Sequence, residues 1–290
     1  MDSIIFNEAH LAQFQADGYT ILSGLIDPAR INCWQETFHS LISELEPIRR
    51  PSQHGLGEQI VIDNLVEQAA EVMLPAASEP AILDFLELVM GPFVQLESLR
   101  INLTHSSAPE ALQVETRNWH RDMWALSVER TKDYLPPNAC NALTYFQDMN
   151  DLIGPLRVLP GSHRRPNSVQ NLFEAQPDER LVYAQAGDVV IIHSALIHAA
   201  TPNISGQPRY FMSRFYNKSY LPHRDSHTGP QVQRIIAKAQ RANDRRLMRL
   251  FGVDDLLFSR QVDASQSEAE LWQRWTEQDR NTKKSAQYRT

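Results

Sequence analysis

Apolar positions change texture along the chain. Residues 1–92 and 230–290 repeat them mainly at helical spacing, whereas about 93–218 break into short runs with strand character. Asn7 stands where an N-cap is wanted for a helix running to about Ala16, and Gly18 occupies the left-handed stop. Tyr19 to Leu22 predicts a short strand. Asp27-Pro28 supplies an N-cap and a first-turn proline for a second helix continuing to about Glu46. Residues 47–60 show no period and predict an irregular polar surface loop, with a flap as the alternative. A third helix spans about Pro80 to Met90 and stops at Gly91-Pro92.

The middle of the chain offers candidate strands at 93–104, 114–128, 141–148, 155–159, 181–184, 187–200 and 209–217. Turn clusters separate them: PPN at 136–138, PGSH at 160–163, Ala186-Gly187-Asp188 and PNISGQP at 202–208. Short strands at this spacing predict a mainly β core, a barrel or jelly roll, with flanking helices. After Gly229-Pro230 the helical pattern returns, with Val232, Ile235, Ile236 and Ala239 on one stripe. No linker separates the parts, so residues 1–290 are expected to form one domain.

Hydrophobic residues make up 42% of the chain, enough for a sizeable core. A net charge of −7 argues against nucleic acid as a partner. The basic excess of residues 231–290 is that of solvated helix faces. Cys33 and Cys140 are too few for a disulfide framework. The opening MDSIIFNEAH lacks the positive region of a secretory signal, and no apolar run is long enough to span a membrane. These features predict a soluble, cytoplasmic protein without a membrane partner. Oligomeric state is not readable from them.

Candidate chemistry begins at WHRDMW, 119–124. His120 and Asp122 are two residues apart, so on a strand they share a face. With one distant histidine they make a 2-His-1-carboxylate set, which suits iron(II) and leaves positions open for other ligands. His-Arg-Asp recurs at 223–225, where the only histidine further on is His227. Residues four apart on an extended strand lie about 13 Å from each other. The second copy therefore reads as a polar loop. The first has better company downstream: GDVVIIHSALIHAATPN (187–203) places His198 near a hairpin whose return strand begins at Arg209. A buried guanidinium beside a metal histidine is what a dicarboxylate cosubstrate requires. Arg209 and Arg214 both qualify, and their odd separation puts only one of them on the inward face.

WHRD at 119–122, GPLRVLPGSH at 154–163, GDVVIIHSALIHAATPN at 187–203, and the spacing to Arg209 together resemble the phytanoyl-CoA dioxygenase family. The likeness runs from about residue 8, where AHLAQFQADGYTIL is also similar, to about 220. It implies a double-stranded β-helix (a cupin-like jelly roll) and iron(II) held by His120, Asp122 and His198. It also implies 2-oxoglutarate as cosubstrate on Arg209, with dioxygen as co-reactant. The expected activity is oxidation, chiefly hydroxylation, of a C–H bond in a small-molecule metabolite or biosynthetic intermediate. Asp122 fills the ligand position that related halogenases leave to chloride. Two features depart from the family: LRINLTHSS (99–107) lacks its early-strand lysine, leaving Asn102 as the nearest polar candidate, and Ile153 stands where asparagine is frequent. An acyl-CoA substrate is not implied. Rival readings are a protein or peptide side-chain hydroxylase and a non-catalytic metal- or ligand-binding jelly roll.

His163 is expected to tie down its own turn, and His193, at the other parity from His198, to be structural. Trp124, on the His120 face, and Phe146 and Gln147, on a neighbouring strand, are candidate pocket residues. Arg49 and Arg50 are candidates to meet an anionic substrate from the 47–60 segment.

Overall fold

The computed structural model describes residues 6–52, 56–113, 117–122, 134–165, 169–253 and 265–287. The chain divides into two compact units, Met1–Asp63 with Arg100–Arg214, and Asn64–Leu99 with Phe215–Thr290.

The first unit opens with α1 (Glu8–Asp17). The Asn7 side chain accepts from the Ala9 and His10 N–H groups, and the Asn7 N–H donates to the His10 ring. Gly18 ends the helix at φ 85°, and a Cβ there would lie 2.6 Å from Nδ1 of His163. β1 (Tyr19–Leu22) follows, then α2 (Pro28–Glu44), capped by Asp27. Residues 47–60 are not wholly irregular. Ile48–Arg50 (β2) pairs antiparallel with Gln59–Ile62 (β3), whose β-branched Ile60-Val61-Ile62 run is buried.

A seven-stranded sheet has the order β1-β8-β5-β10-β4-β3-β2, where β4 is Val94–Thr104, β5 Ala139–Tyr145, β8 Val189–His193 and β10 Arg209–Lys218. A three-stranded sheet orders β7 (Arg180–Val182), β6 (Leu156–Val158) and β9 (His198–Ala199). Tyr19, Leu143, Tyr145, Leu156, Val190 and Ile192 belong to one buried apolar cluster, so strands of both sheets share a core. Each such aliphatic or aromatic side chain contributes about 1.5–3 kcal/mol on burial.

Two predicted strands are corrected. The 187–200 run is β8 and β9, in different sheets, divided by a turn over 194–197. Leu196 N–H donates to His193 O (2.8 Å), Ile197 N–H to Ser162 Oγ (2.8 Å), and Arg121 Nε–H to Ala195 O (2.7 Å). The parity argument linking His193 to His198 therefore lapses, although His193 is a buried core residue stacked 6.0 Å from Phe14. Within 114–128, the described residues 117–122 form no continuous strand; a single bridge pairs His120 with His198.

The second unit holds α5 (Pro80–Met90), at its predicted bounds, and α6 (Pro230–Arg241), which starts where the helical pattern was expected to return. On α6, Val232, Ile236 and Ala239 are buried and Ile235 is half-buried. α3 (Leu65–Gln68) and α4 (Ala70–Ala77) were not predicted; α7 (Arg245–Leu250) and α8 (Glu268–Gln287) extend the helical C-terminal region. The 223–227 loop is less solvated than its composition suggests, since Asp225 and His227 are each 5% exposed. No helix among the described residues is long and apolar enough to cross a membrane. Both cysteines are free, Cys33 exposed and Cys140 buried.

Candidate metal centre and cosubstrate cavity

His120 and His198 exchange both backbone hydrogen bonds, each 3.0 Å, and Asp122 N–H donates to Ser194 O at 3.1 Å. This short ladder carries 120–122 past the turn that separates β8 from β9. Side chains of His120, Asp122 and His198 converge, with one ligand atom from each lying within 4.8 Å of the others. Each imidazole is oriented by a local carbonyl: His120 Nδ1 lies 2.9 Å from Asn118 O, and His198 Nδ1 lies 3.0 Å from Leu196 O. Nδ1–H donation to a carbonyl fixes the tautomer that leaves Nε2 as a lone-pair donor. His198 Nε2 is 3.6 Å from Asp122 Oδ1.

The carboxylate is positioned in turn. Asn141 Nδ2 donates to Asp122 Oδ2 at 3.4 Å, and Ser213 Oγ donates to Asn141 Oδ1 at 2.9 Å. Electrostatic coupling to the neighbouring His198 ring, and then burial, hold His120 down to about 4, so at neutral pH its ring is uncharged. Two imidazoles and one carboxylate are the donor set that fits a divalent transition metal with open positions.

A cavity of about 300 Å³ adjoins the three side chains. Asn141, Leu143 and Tyr145 reach it from alternate positions of β5, and Arg209, Phe211 and Ser213 from alternate positions of β10. The wall formed by β2, β3 and β4 adds Arg50, Gln59, Arg100 and Asn102.

Arg209 is 4% exposed. All its hydrogen bonds leave from Nη1, to the carbonyls of Ile153 (3.2 Å), Gly154 (2.5 Å) and Thr201 (2.8 Å). Its Nε is buried without a partner. Gly154 makes this cradle feasible: it sits at φ 86°, and a Cβ would come within 2.4 Å of Pro202 O and 2.9 Å of Arg209 Nη1. Burial lowers the Arg209 pKa, partly countered by Tyr145. A buried guanidinium bonded only to neutral carbonyls calls for an anion, and the Nε edge is open to one. Asn102 Nδ2 is also buried without a partner. These orphaned donors fit a dicarboxylate beside the metal ligands. Arg214 lies elsewhere, 5.4 Å from the Trp34 ring centre and bonded to Thr144 Oγ1 at 3.0 Å.

The other sequence candidates separate. Arg50 lines the cavity; Arg49, its neighbour of opposite parity on β2, does not and lies 3.8 Å from Glu58. Phe146 and Gln147 are also outside the lining. Phe146 stacks on Tyr210 with ring planes 2° apart, and Gln147 exchanges hydrogen bonds with the Tyr210 backbone. Trp124 lies outside the described residues. His163 ties its turn to α1, its Nε2 lying 3.1 Å from Gln15 O. Sequence reasoning missed Arg100, Asn141 and Tyr145, although parity with Asn102 pointed to the first.

Fold and site together define a jelly roll built like the 2-oxoglutarate oxygenases. The model of the phytanoyl-CoA dioxygenase (PhyH) family matches residues 14–211, and the chain belongs to that family. Among curated relatives, the L-proline trans-4-hydroxylase of Streptomyces griseoviridis is 25% identical over 168 residues. That alignment covers 48% of this chain and 60% of the hydroxylase, less than two thirds of its length. Two solved structures share the fold. HygX from Streptomyces hygroscopicus, with nickel, 2-oxoglutarate and hygromycin B bound, has TM-score 0.59 and 15% identity, covering 75% of this chain and 90% of its own. The α-ketoglutarate-dependent epimerase SnoN from nogalamycin biosynthesis has TM-score 0.58 and 21% identity, covering 73% and 83%.

Proposed function

We propose that this chain is an iron(II)/2-oxoglutarate-dependent dioxygenase that hydroxylates a C–H bond of a small molecule. The observation that carries this reading is one cavity holding both the His120–Asp122–His198 cluster and the unpaired edge of buried Arg209. His120, Asp122 and His198 would hold iron(II); Arg209 would receive the far carboxylate of 2-oxoglutarate, and Asn102 would donate to the same molecule. When bound, the metal and keto acid supply oxidising equivalents from dioxygen, with succinate and carbon dioxide as co-products.

The chain's own part is positioning. Asn141 and Ser213 fix the Asp122 carboxylate, while the carbonyls of Asn118 and Leu196 fix the two rings. Leu143, Leu156 and Phe211 give the cavity apolar wall, which limits water near the reacting carbon. A volume of about 300 Å³ favours a small molecule over an extended peptide. The family membership and the hydroxylase relative support the same reading.

The test is anaerobic addition of iron(II) and 2-oxoglutarate. A visible metal-to-ligand charge-transfer band is expected, and air should then release succinate. His198→Ala should remove both. A band of undiminished strength in His198→Ala would show that the keto acid chelates metal elsewhere and would sink the assignment.

A further inference from the structure

We propose that Arg100, with Arg50 at the rim, receives a carboxylate of the substrate, so that the enzyme acts on small carboxylate-bearing molecules. The inference rests on the oxygenase reading above and names its substrate class.

Burial orders the three cavity arginines. Arg209 is 4% exposed, Arg100 is half-buried, and Arg50 is exposed. The sealed end thus belongs to the cosubstrate, and a substrate arriving from solvent meets Arg50 and Arg100 first. Strand register puts these two side chains on one wall. Arg50 is the cross-strand partner of Gln59 on β3, Gln59 pairs with Thr104 on β4, and Arg100 shares the parity of Thr104.

Charge narrows the ligand. Among the described lining residues, Asp122, a proposed metal ligand, is the only acidic side chain. Asp63, outside the lining, holds Arg100 with Oδ1 2.9 Å from Nε, which steers the guanidinium and cancels one of the wall's two positive charges. Counting Arg50, Arg100 and Asp63 alone, one net positive charge remains, the complement of a monoanion rather than of a phosphate dianion. A guanidinium fork also matches the two oxygens of a carboxylate.

The test uses protein loaded with redox-inert nickel(II) and 2-oxoglutarate. Calorimetry would compare free amino acids and simple aliphatic or aromatic monocarboxylates at millimolar concentration with their primary amides. Matching phosphate monoesters form a third arm. At least one acid should bind about tenfold or more tighter than its amide, as a charge-assisted contact of roughly 1.5–3 kcal/mol implies. Arg100→Gln should bring that acid down to the affinity of the amide while the amide itself is unaffected, and Arg100→Lys should restore part of the difference. Arg49→Gln, outside the lining, should change neither. Equal binding of acids and amides, preference for the phosphate esters, or no binding by any acid overturns the proposal. So does a loss of 2-oxoglutarate affinity in Arg100→Gln with the acid–amide difference intact, which would make Arg100 a cosubstrate residue and leave the oxygenase reading standing. Wild-type protein that takes up neither nickel nor 2-oxoglutarate takes both readings down.

Discussion

His-Arg-Asp occurs at 120–122 and at 223–225, and the two copies use the same side chains for different ends. In the first, Asp122 turns its carboxylate toward a cavity and lies 3.6 Å from His198 Nε2. In the second, both Asp225 oxygens are taken by backbone donors, Oδ1 by Asn64 N–H at 3.2 Å and Oδ2 by Leu99 N–H at 2.8 Å. The arginines behave alike. Arg121 clamps the carbonyls of Ala195, Ser162 and Arg165, while Arg224 grips Glu97 with two hydrogen bonds. The histidines differ again. His120 points Nε2 at a second imidazole and a carboxylate, whereas His227 stacks on His223 with centroids 3.9 Å apart and planes 12° apart. A metal site is thus marked by unspent donor atoms that converge, not by the tripeptide.

The most drastic break of this comparison is the paired replacement of its carboxylates. Asp122→Ala should lower iron(II) affinity by more than the roughly hundredfold typical of losing an outer-shell partner, and abolish succinate release. Asp225→Ala should keep iron affinity and the charge-transfer band in the folded fraction. Metal titration by anaerobic spectroscopy reads both. Iron binding that survives in Asp122→Ala and disappears in Asp225→Ala would reverse the roles.

Next in size is the anchor. Arg209→Ala would leave a buried cosubstrate carboxylate unpaired, a loss of about 3–5 kcal/mol, or two to four orders of magnitude in 2-oxoglutarate affinity. Iron affinity should hold, since arginine is not a ligand. Arg214→Ala, whose side chain faces Trp34 and Thr144, should change cosubstrate affinity less than about tenfold in the folded fraction. A large loss in Arg214→Ala with none in Arg209→Ala would move the anchor to the other face of β10.

How much of this was legible in the sequence depends on whether the signal was local. Caps and stops were legible at Asn7, Gly18, Asp27-Pro28 and Gly91, because each acts within a few residues. Strand parity correctly said that Arg209 and Arg214 oppose each other, but choosing between them required the family resemblance. The break between His193 and His198 was not legible, since both halves of VVIIHSALIHAA are buried and the turn is held by distant Arg121 and Ser162. The same limit hid β2, three exposed residues whose strand character comes from pairing with β3. Phe146 and Gln147 lie just beyond the regular part of β5, so alternation no longer said where they point.

Stability turns the comparison around. In metal-free protein, Asp225→Ala would strip two backbone N–H groups of their acceptor, and each such loss costs about 1–3 kcal/mol. A total of about 2–6 kcal/mol is expected in chemical denaturation. Asp122→Ala should change metal-free stability by less than about 1 kcal/mol, since its carboxylate serves a ligand rather than the backbone. Equal losses from the two would remove the distinction between a structural and a chemical aspartate.

The smallest expected effect concerns His227. Burial first, and then His223, hold its pKa down to about 4. The fold accepts the neutral ring, whereas in the unfolded chain it titrates near about 6.5. A depressed folded pKa means that its contribution is present above about pH 6.5, declines as pH falls toward 4, and is constant below that. Between pH 7 and pH 5 the linkage amounts to at most about 2 kcal/mol. His227→Phe keeps a flat ring against His223 and Phe251 and cannot take up a proton. Wild type should therefore lose more stability than His227→Phe over that interval, with carboxylate titrations cancelling in the difference. Denaturation midpoints of both proteins at pH 7, 6 and 5 measure it. Parallel decline would mean that His227 is reached by water and titrates as it does unfolded, so that the second copy would be a solvated loop after all.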